Sequence, residues 1–300
     1  MGIRQVFLAI SLLTLTILVF SITVYSQEEM ERAKASFKPS EPPRLYIAPT
    51  ADIIPSLDFS VAGSGSFGAN GFSYQGTAGF GLADIAQIEA HAIGVGSGLD
   101  EEKFKPVYAP GFKMMLLRTG KWTHSSGISS PGIAWSLRSS LWRKDEEKNI
   151  TYKTKLADLY FVATERIGPL SIHGGVDIFD ARLTSDVMDN QKPEKLPEAK
   201  QNFIRPFGGL DISISERGKA MAEFGWSTDF TYKPDGIHTK EDIKPIWIAL
   251  LGVRFFITRY TAMDVGVRYQ ENYAGVSDAS VEAKIDTFIP THLLYEYAKR

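Results

Sequence analysis

Apolar and polar residues alternate along most of the chain after residue 55. In the stretch "SLDFSVAGSGSFG", for example, Asp58 lies between Leu57 and Phe59. A period of two residues is that of a β-strand, whose successive side chains point to opposite faces. Because no helical period intervenes, a βαβ architecture is excluded. The alternation predicts twelve strands, at residues 56–68, 72–82, 85–96, 107–118, 132–143, 151–165, 170–182, 203–215, 219–232, 245–257, 261–271 and 280–290.

The first of these strands contains "GSGSFG", which matches the glycine pattern of a dinucleotide-binding turn. That turn must be followed directly by a helix, whose N-terminus holds the pyrophosphate. Here "ANG", a hairpin turn signal, follows at residues 69–71, and the next residues alternate again. The glycines are therefore predicted to lie within strands and not in a nucleotide site.

The two faces of the predicted strands differ in chemistry. Leu251 and Ile285 lie on faces without internal charge, whereas Arg254 and Lys284 lie on the opposite faces of the same strands. A lysine or arginine that faces lipid at the bilayer midplane costs ~2–4 kcal/mol, so a membrane barrel keeps that face free of charge. The pattern predicts that one face of each strand meets hydrocarbon.

Strand 151–165 departs from this pattern. Its Lys153 and Lys155 share a face with Phe161. A single extra residue would move the lysines to the other face, so we expect a β-bulge near Leu156.

The lengths of the connections favour a membrane barrel over a sandwich. If the N-terminus lies in the periplasm, the inner connections are mostly short, whereas the outer ones are longer and polar, such as 183–202 and 233–244. This asymmetry is typical of outer-membrane barrels. The inner connection 119–131 and the tight outer "ANG" turn depart from it.

The N-terminal residues indicate export. Arg4 precedes an apolar run, Val6–Tyr25, and the sequence becomes charged after Gln27. We expect a signal peptide over 1–26, although a run of this length would also span a bilayer if it were not cleaved. The chain of 300 residues has no cysteine, so disulfides and thiolate chemistry are excluded.

On these patterns, residues 44–290 resemble bacterial outer-membrane β-barrel proteins as a broad class, and "APTADIIPSLDFSVAGSG" resembles the segment that leads into a first strand. The resemblance implies an all-β fold, a single antiparallel up-and-down transmembrane barrel of about twelve strands in the outer membrane. It also implies outer-membrane lipids and lipopolysaccharide as surroundings, and periplasmic chaperones and the barrel-insertion machinery as partners during biogenesis. Residues 27–43 are expected to form a polar periplasmic linker and 291–300 a C-terminal tail, which lacks a terminal aromatic residue.

The polar faces supply the residues expected to line the lumen. Both signs of charge are present, which favours ion pairs that brace the interior over a single-sign selectivity ring. Twelve strands permit a narrow pore without requiring one. The lumen-lining candidates are Asp58, Glu89, Lys113, Arg138, Asp177, Arg205, Asp211, Glu223, Asp229, Arg254, Asp264, Arg268, Glu282, Lys284 and Asp286.

Several large aromatic residues are candidates for anchors at the membrane–water interfaces, where tryptophan and tyrosine are enriched. They are Tyr108, Trp142, Trp226, Tyr232, Trp247 and Tyr269. A net charge of −2 gives no argument for a nucleic-acid partner.

No motif for catalysis, a metal or a cofactor is present. Ser171, His173 and Asp177 share one face, but four residues along a strand span ~13 Å, beyond hydrogen-bond reach. The five histidines show no metal-binding spacing. We therefore expect no enzymatic activity, although a barrel hydrolase is not excluded.

Three functional hypotheses remain. The first is a narrow porin-like channel or a transport barrel for a solute or polymer. The second is a non-conducting envelope scaffold or surface-binding barrel that recognises partners through 183–202 or 233–244. The third is a soluble, secreted β-sandwich.

Overall fold

The chain folds into a barrel of twelve antiparallel strands. The computed structural model describes residues 39–68, 71–96, 107–117, 120–121, 129–147, 150–189 and 192–291. The strands are β1 (Phe59–Gly68), β2 (Gly71–Leu82), β3 (Ala86–Gly96), β4 (Val107–Leu117), β5 (Gly132–Ser139), β6 (Ile150–Ile167), β7 (Leu170–Asp189), β8 (Ala199–Ser215), β9 (Gly218–Phe230), β10 (Ile243–Phe256), β11 (Thr261–Gln270) and β12 (Ser280–Ile289). Within these ranges, no helix is long and apolar enough to cross a bilayer.

Each strand pairs with its neighbour in sequence, and β12 pairs with β1, which closes the sheet. The closing register runs from Phe59↔Ile289 to Phe67↔Val281. A closed single sheet excludes the sandwich hypothesis. The remaining short elements are strands Gly120–Lys121, Ser129–Ser130, Arg143–Glu147 and Lys192–Lys195, and 3₁₀ helices Lys240–Asp242 and Val276–Asp278.

The barrel is polar inside and apolar outside, the reverse of a soluble protein. In β12, Glu282, Lys284 and Asp286 are buried, whereas Val281 and Ile285 on the opposite face of the strand are exposed. Such a surface is stable only against hydrocarbon, and closed barrels are one of the two structures that span a bilayer, because they leave no unpaired edge. The protein is therefore an outer-membrane β-barrel.

The two ends of the barrel differ. At one end β2–β3, β6–β7, β8–β9 and β10–β11 are joined by turns of two to four residues, and this short-turn end faces the periplasm in outer-membrane barrels. At the opposite, long-loop end the β6–β7 hairpin projects furthest, because its strands have 18 and 20 residues.

The β-bulge expected near Leu156 is absent, so that prediction is wrong. The pairing of β6 with β7 runs without a shift from Ile167↔Leu170 to Ile150↔Val187. Lys153 and Lys155 stay on the outward face, but they lie in the projecting part of the hairpin. There Lys153 contacts the carboxylate of Asp186, so no bulge is needed to remove it from lipid.

The barrel wall begins at Phe59, not at residue 44. Residues 39–58 form no barrel strand and enter the lumen. The boundary expected between a linker over 27–43 and a barrel over 44–290 therefore falls inside this segment, which belongs neither to a linker nor to the barrel wall. We call residues 39–58 the plug segment. The signal peptide over 1–26 and the tail beyond residue 291 lie outside the described residues.

Candidate functional site: a plugged lumen

The plug segment enters the lumen at the short-turn end and returns to that end. On entry, the amide of Ser40 donates to the carbonyl of Arg259 in the β10–β11 turn, at 2.8 Å. On return, the amide of Ser56 donates to Oδ1 of Asp84 in the β2–β3 turn, at 2.6 Å. The segment therefore occupies the periplasmic half of the lumen.

Between these points the plug segment folds into a small hairpin. An isolated bridge joins Arg44 to Pro49, and the amide of Leu45 donates to the carbonyl of Ala48 at 2.9 Å. We call residues 45–48 the plug tip. The hairpin satisfies part of its own backbone, but the tip amides still need acceptors from the wall.

Glu223 in β9 supplies these acceptors. Its carboxylate accepts hydrogen bonds from the amides of Tyr46, Ile47 and Ala48 at 2.6, 2.9 and 2.8 Å. The side chain is buried, so three charge-assisted bonds form where water does not compete. Glu223 is therefore the main receptor for the plug tip.

Two cationic side chains bind the carbonyls of the same hairpin. Arg254 donates to the carbonyls of Arg44 and Leu45 at 3.2 and 3.4 Å, and Lys284 donates to the carbonyl of Leu45 at 2.6 Å. Asp264, which is fully buried, holds the guanidinium of Arg254 through bonds of 2.7 and 2.8 Å. Wall ion pairs thus present their remaining donors to the plug.

On the opposite side of the lumen, Lys113 donates to the carbonyls of Pro43 and Asp52. Nη2 of Arg44 lies 3.5 Å from Oε2 of Glu89. These contacts join β3 and β4 to both arms of the plug hairpin.

Neutral side chains also hold the returning arm, in addition to Arg166, which donates to both carboxylate oxygens of Asp52 at 2.8 and 2.7 Å. The amide of Ala51 donates to Oγ1 of Thr164 at 2.8 Å, and the amide of Ile54 donates to Oε1 of Gln87 at 2.7 Å. Thr164 and Gln87 are both buried. Neither was among the residues proposed from the sequence, because a polar residue without charge on the inward face gives no distinctive signal.

Glycines on the inner wall make room for the plug segment. A β-carbon at Gly79 would lie 2.5 Å from Cδ1 of Ile54, and one at Gly209 would lie 2.5 Å from Cδ1 of Leu45. Both distances are too short for real carbon–carbon contact, so a larger residue would force the side chain of Ile54 or Leu45 to move. At Gly81 a β-carbon would lie 1.9 Å from the carbonyl oxygen of Pro55, in the backbone of the plug segment. The glycines whose β-carbon would meet the plug are Gly79, Gly81, Gly209, Gly225 and Gly252.

The structure places the lumen candidates in three groups. Asp58 is buried, but it belongs to the plug segment and not to the wall, and Asp229 is exposed at the long-loop end. The candidates that contact the plug are Glu89, Lys113, Glu223, Arg254 and Lys284. The others pair along the wall, as Arg138 with Asp158, Arg205 with Asp177, Lys219 with Asp211, Arg268 with Glu282, Arg254 with Asp264 and Lys284 with Asp286.

His173 shares a strand face with Ser171 and Asp177, but its hydrogen-bond partners are residues of other strands. Nε2 of His173 lies 2.9 Å from Oδ2 of Asp211, and Nδ1 lies 2.9 Å from Oγ1 of Thr164. An acid, a histidine and a hydroxyl in this order resemble a hydrolytic triad. Here, however, the hydroxyl of Thr164 accepts a hydrogen bond from the amide of Ala51 and is buried beneath the plug segment. Asp211 and His173 therefore orient Thr164, which binds the plug segment. No group of residues suited to a metal occurs in the described ranges.

The long-loop end is narrowed by residues 231–242, which we call the cap segment. Nε2 of His238 lies 2.9 Å from Oγ of Ser185, and the hydroxyl of Tyr152 donates to the carbonyl of Lys233 at 2.9 Å. Beside the cap lies an apolar cluster of Phe179, Ala181, Leu183, Ala199 and Ile243, against which Leu156, Phe203 and Phe230 pack. The cap segment is thus attached to the inner side of β6 and β7.

Two titratable groups of the cap segment have altered pKa values. Burial lowers the pKa of His238, although the nearby Asp242 opposes this effect. For Asp242, partial burial favours the neutral acid, but hydrogen bonds from Lys233 and Thr239 outweigh it and lower the pKa. The cap is therefore built for a neutral histidine and an ionised aspartate.

Three of the aromatic anchors form one band near the long-loop end. Trp226 lies opposite Trp247 across β9 and β10, and the ring centroids of Trp247 and Tyr269 are 5.7 Å apart. Tyr108, Trp142 and Tyr232 are exposed elsewhere, and the interfacial role of all six stays a prediction.

Known proteins offer little beyond the fold. No protein-family model and no curated protein matches the sequence. Among solved structures, the chain is similar to the translocator domain of the autotransporter NalP from Neisseria meningitidis, with a TM-score of 0.41 and 8% identity over 87% of this chain and 93% of that one. It is also similar to the NanC porin, with a TM-score of 0.40 and 8% identity over 77% and 99% of the two chains. The outer membrane protein Omp33 from Acinetobacter baumannii gives a TM-score of 0.35 and 8% identity over 78% and 100%. At these scores, no property of those proteins extends to this chain.

Proposed function

We propose that the protein is a gated outer-membrane channel that is closed by its own N-terminal plug segment and conducts a small solute when the plug leaves its seat. The observation that carries this proposal is the seat of the plug tip, in which one buried carboxylate, Glu223, accepts three consecutive amides. Inner-wall glycines next to the plug support it, because they reserve space for a separate segment instead of filling the lumen with wall side chains.

The chemistry of the seat favours a plug that can leave. The wall groups that bind it, Glu223, Arg254 and Lys284, are charged, so water entering the lumen would solvate them after the plug departs. The apolar contact is divided between two small clusters: Leu45 and Tyr46 pack against Met221 and Leu250, and Ala51 packs against Ala134, Tyr160 and Val162. A permanent filling would be expected to bury a larger apolar surface.

Conductance in planar bilayers tests the proposal. The full chain is compared with a variant that lacks residues 39–55 and retains all twelve strands, and heat-modifiable migration on gels confirms that both are folded. We expect the variant to give discrete, frequent conductance steps and the full chain to remain mostly closed. A folded variant that never conducts would contradict the proposal.

A non-conducting, surface-binding barrel is the second candidate. It is favoured by the attachment of the cap segment over the long-loop end, where His238 is buried against Ser185. If the cap closes the mouth permanently, removal of the plug leaves conductance at zero. The same pair of proteins therefore separates the two functions.

A further inference from the structure

The hydrogen-bond ladder of the wall is interrupted between β8 and β9. These strands pair from the short-turn end up to Gly208↔Phe224, and above that level residues 199–207 and 225–230 share no ladder pairing. The other edges of both strands stay paired throughout this stretch, β8 with β7 and β9 with β10. The interruption is therefore a local parting of two strands and not a frayed end.

The gap between β8 and β9 is closed toward both ends of the barrel, by backbone pairing on the short-turn side and by side-chain packing on the long-loop side. Toward the long-loop end, Phe203 of β8 and Phe230 of β9 both pack against the same apolar cluster. The gap is thus a window in the wall. Trp226 lies within it and opposite Trp247, in the aromatic band near the long-loop end. On the predicted interfacial role of this band, the window lies at the level of the outer membrane interface.

Side chains close the window in place of backbone pairing. Nε1 of Trp226 donates to the carbonyl of Pro206 at 2.7 Å, and Nη1 of Arg205 lies 3.4 Å from the carbonyl of Ser227. Proline has no amide proton, so Pro206 adds no unpaired donor to this edge. An unpaired backbone group in lipid costs several kcal/mol, so these substitutes make the open ladder tolerable.

A cavity of about 80 Å³ lies behind the window. Its walls include Trp226 and Phe207 at the window, Tyr160 and Asp177 of the neighbouring strands β6 and β7, and Ile47 of the plug tip. An apolar cavity of ~150 Å³ holds a benzene molecule. The present cavity is smaller, so entry of a small ring requires the indole of Trp226 to move.

Two polar atoms at or next to this cavity have no hydrogen-bond partner within the described ranges. They are Oδ1 of Asp177, which lines the cavity, and Nε of Arg205, whose guanidinium pairs with Asp177. The charges are already balanced, since Arg205 pairs with Asp177 and Arg138 pairs with Asp158. A ligand at this site would therefore have to supply hydrogen-bond partners but no charge.

We propose that the β8–β9 window is a lateral portal, gated by Trp226, through which a small apolar molecule with one neutral hydrogen-bonding group passes between the outer leaflet and the lumen. Phenols are the simplest members of this class. The apolar ring suits Trp226 and Phe207, and the hydroxyl both donates and accepts, as the unpartnered atoms of Asp177 and Arg205 require. This portal does not require the plug to leave its seat, although the plug tip forms one side of the cavity.

Access from lipid is tested with single cysteines, since the native chain has none. A Ser227→Cys variant carries its thiol at the window, in the unpaired part of β9, and a Ser136→Cys variant carries it on β5, where the ladder is closed on both edges. In liposomes, a bilayer-partitioned pyrene maleimide should label Ser227→Cys about tenfold faster than Ser136→Cys. Adding Trp226→Phe, which removes one hydrogen bond, should raise the rate of Ser227→Cys about a further fivefold. Equal rates for the two single variants would overturn the portal.

The class of ligand is tested by fluorine NMR of 4-fluorophenol, fluorobenzene and 4-fluorobenzoate with the folded barrel in detergent micelles. We expect selective broadening of the 4-fluorophenol resonance, and its loss after pyrene labelling of the Ser227→Cys variant. Stronger broadening of fluorobenzoate, or none beyond that in empty micelles, would overturn the assignment of a neutral ligand. Planar-bilayer conductance plays no part in either readout, so the portal and the gated channel can fail separately.

Discussion

Replacement of Glu223 by glutamine is the sharpest test of how the plug is held. The substitution keeps the shape of the side chain but removes the charge that accepts the amides of Tyr46, Ile47 and Ala48. A hydrogen bond to a charged group contributes about 1.5–3 kcal/mol, and a neutral one about 0.5–1.5. Three weakened bonds therefore reduce the stability of the seated plug by roughly 3 kcal/mol.

This loss corresponds to about a 100-fold increase in the ratio of unseated to seated plug, because each 1.4 kcal/mol changes an equilibrium tenfold. Single-channel recording measures it as the open probability of Glu223→Gln relative to the native chain. Asp229→Asn is the matched control, since it removes a carboxylate from the same strand at an exposed position. An open probability of Glu223→Gln equal to that of the control would refute the account of the seat.

Three other predictions concern the wall and the cap. Arg254→Met leaves the fully buried Asp264 with Lys284, 3.7 Å away, as its remaining cationic partner and should cost about 3 kcal/mol in urea unfolding; a change under 1 kcal/mol would argue against a buried pair. Leu251→Arg places a charge on the lipid-facing surface and should cost ~2–4 kcal/mol, whereas a neutral outcome would mean that Leu251 does not face hydrocarbon. Because the pKa of His238 is lowered from 6.5 in the folded state, the opened cap binds a proton first as the pH falls below 6.5. Hydrogen exchange of residues 231–242, corrected for intrinsic rates, should therefore show less protection at pH 5.5 than at pH 7.5, and greater protection at pH 5.5 would reverse the assigned sign.

The membrane-facing part of the wall was largely predictable from the sequence. Strand β4 was expected at 107–118 and extends over Val107–Leu117, and β12 was expected at 280–290 and extends over Ser280–Ile289. Lipid on one side and a polar lumen on the other impose a strict period of two. The sequence therefore predicts both where these strands lie and which of their side chains face lipid.

Prediction weakened where lipid no longer imposes the pattern. β7 was expected to end at residue 182 but continues to Asp189. In its projecting part the inward residues Phe179 and Leu183 are apolar and pack under the cap, so the alternation that marks the membrane zone disappears. Lys153 was misinterpreted for the same reason, since an outward lysine is stable above the bilayer.

The plug and the window could not be derived from periodicity. The plug segment has five prolines and no strand period, and Glu223, which holds its tip, lies more than 170 residues away. Its only local sign was an apolar run, "RLYIAPTADIIP", that directly followed a polar linker. The window arises because two strands with ordinary alternation part from each other, and Pro206 is the one residue that marks the unpaired edge.

Amide hydrogen exchange over residues 44–55 of the folded barrel tests the central claim most directly. Five of these amides, those of Tyr46, Ile47, Ala48, Ala51 and Ile54, are bonded to Glu223, Thr164 and Gln87, so peptides from this region should exchange as slowly as peptides from β9. Exchange within seconds, as in a solvated linker, would show that the lumen does not hold the segment and would contradict the account.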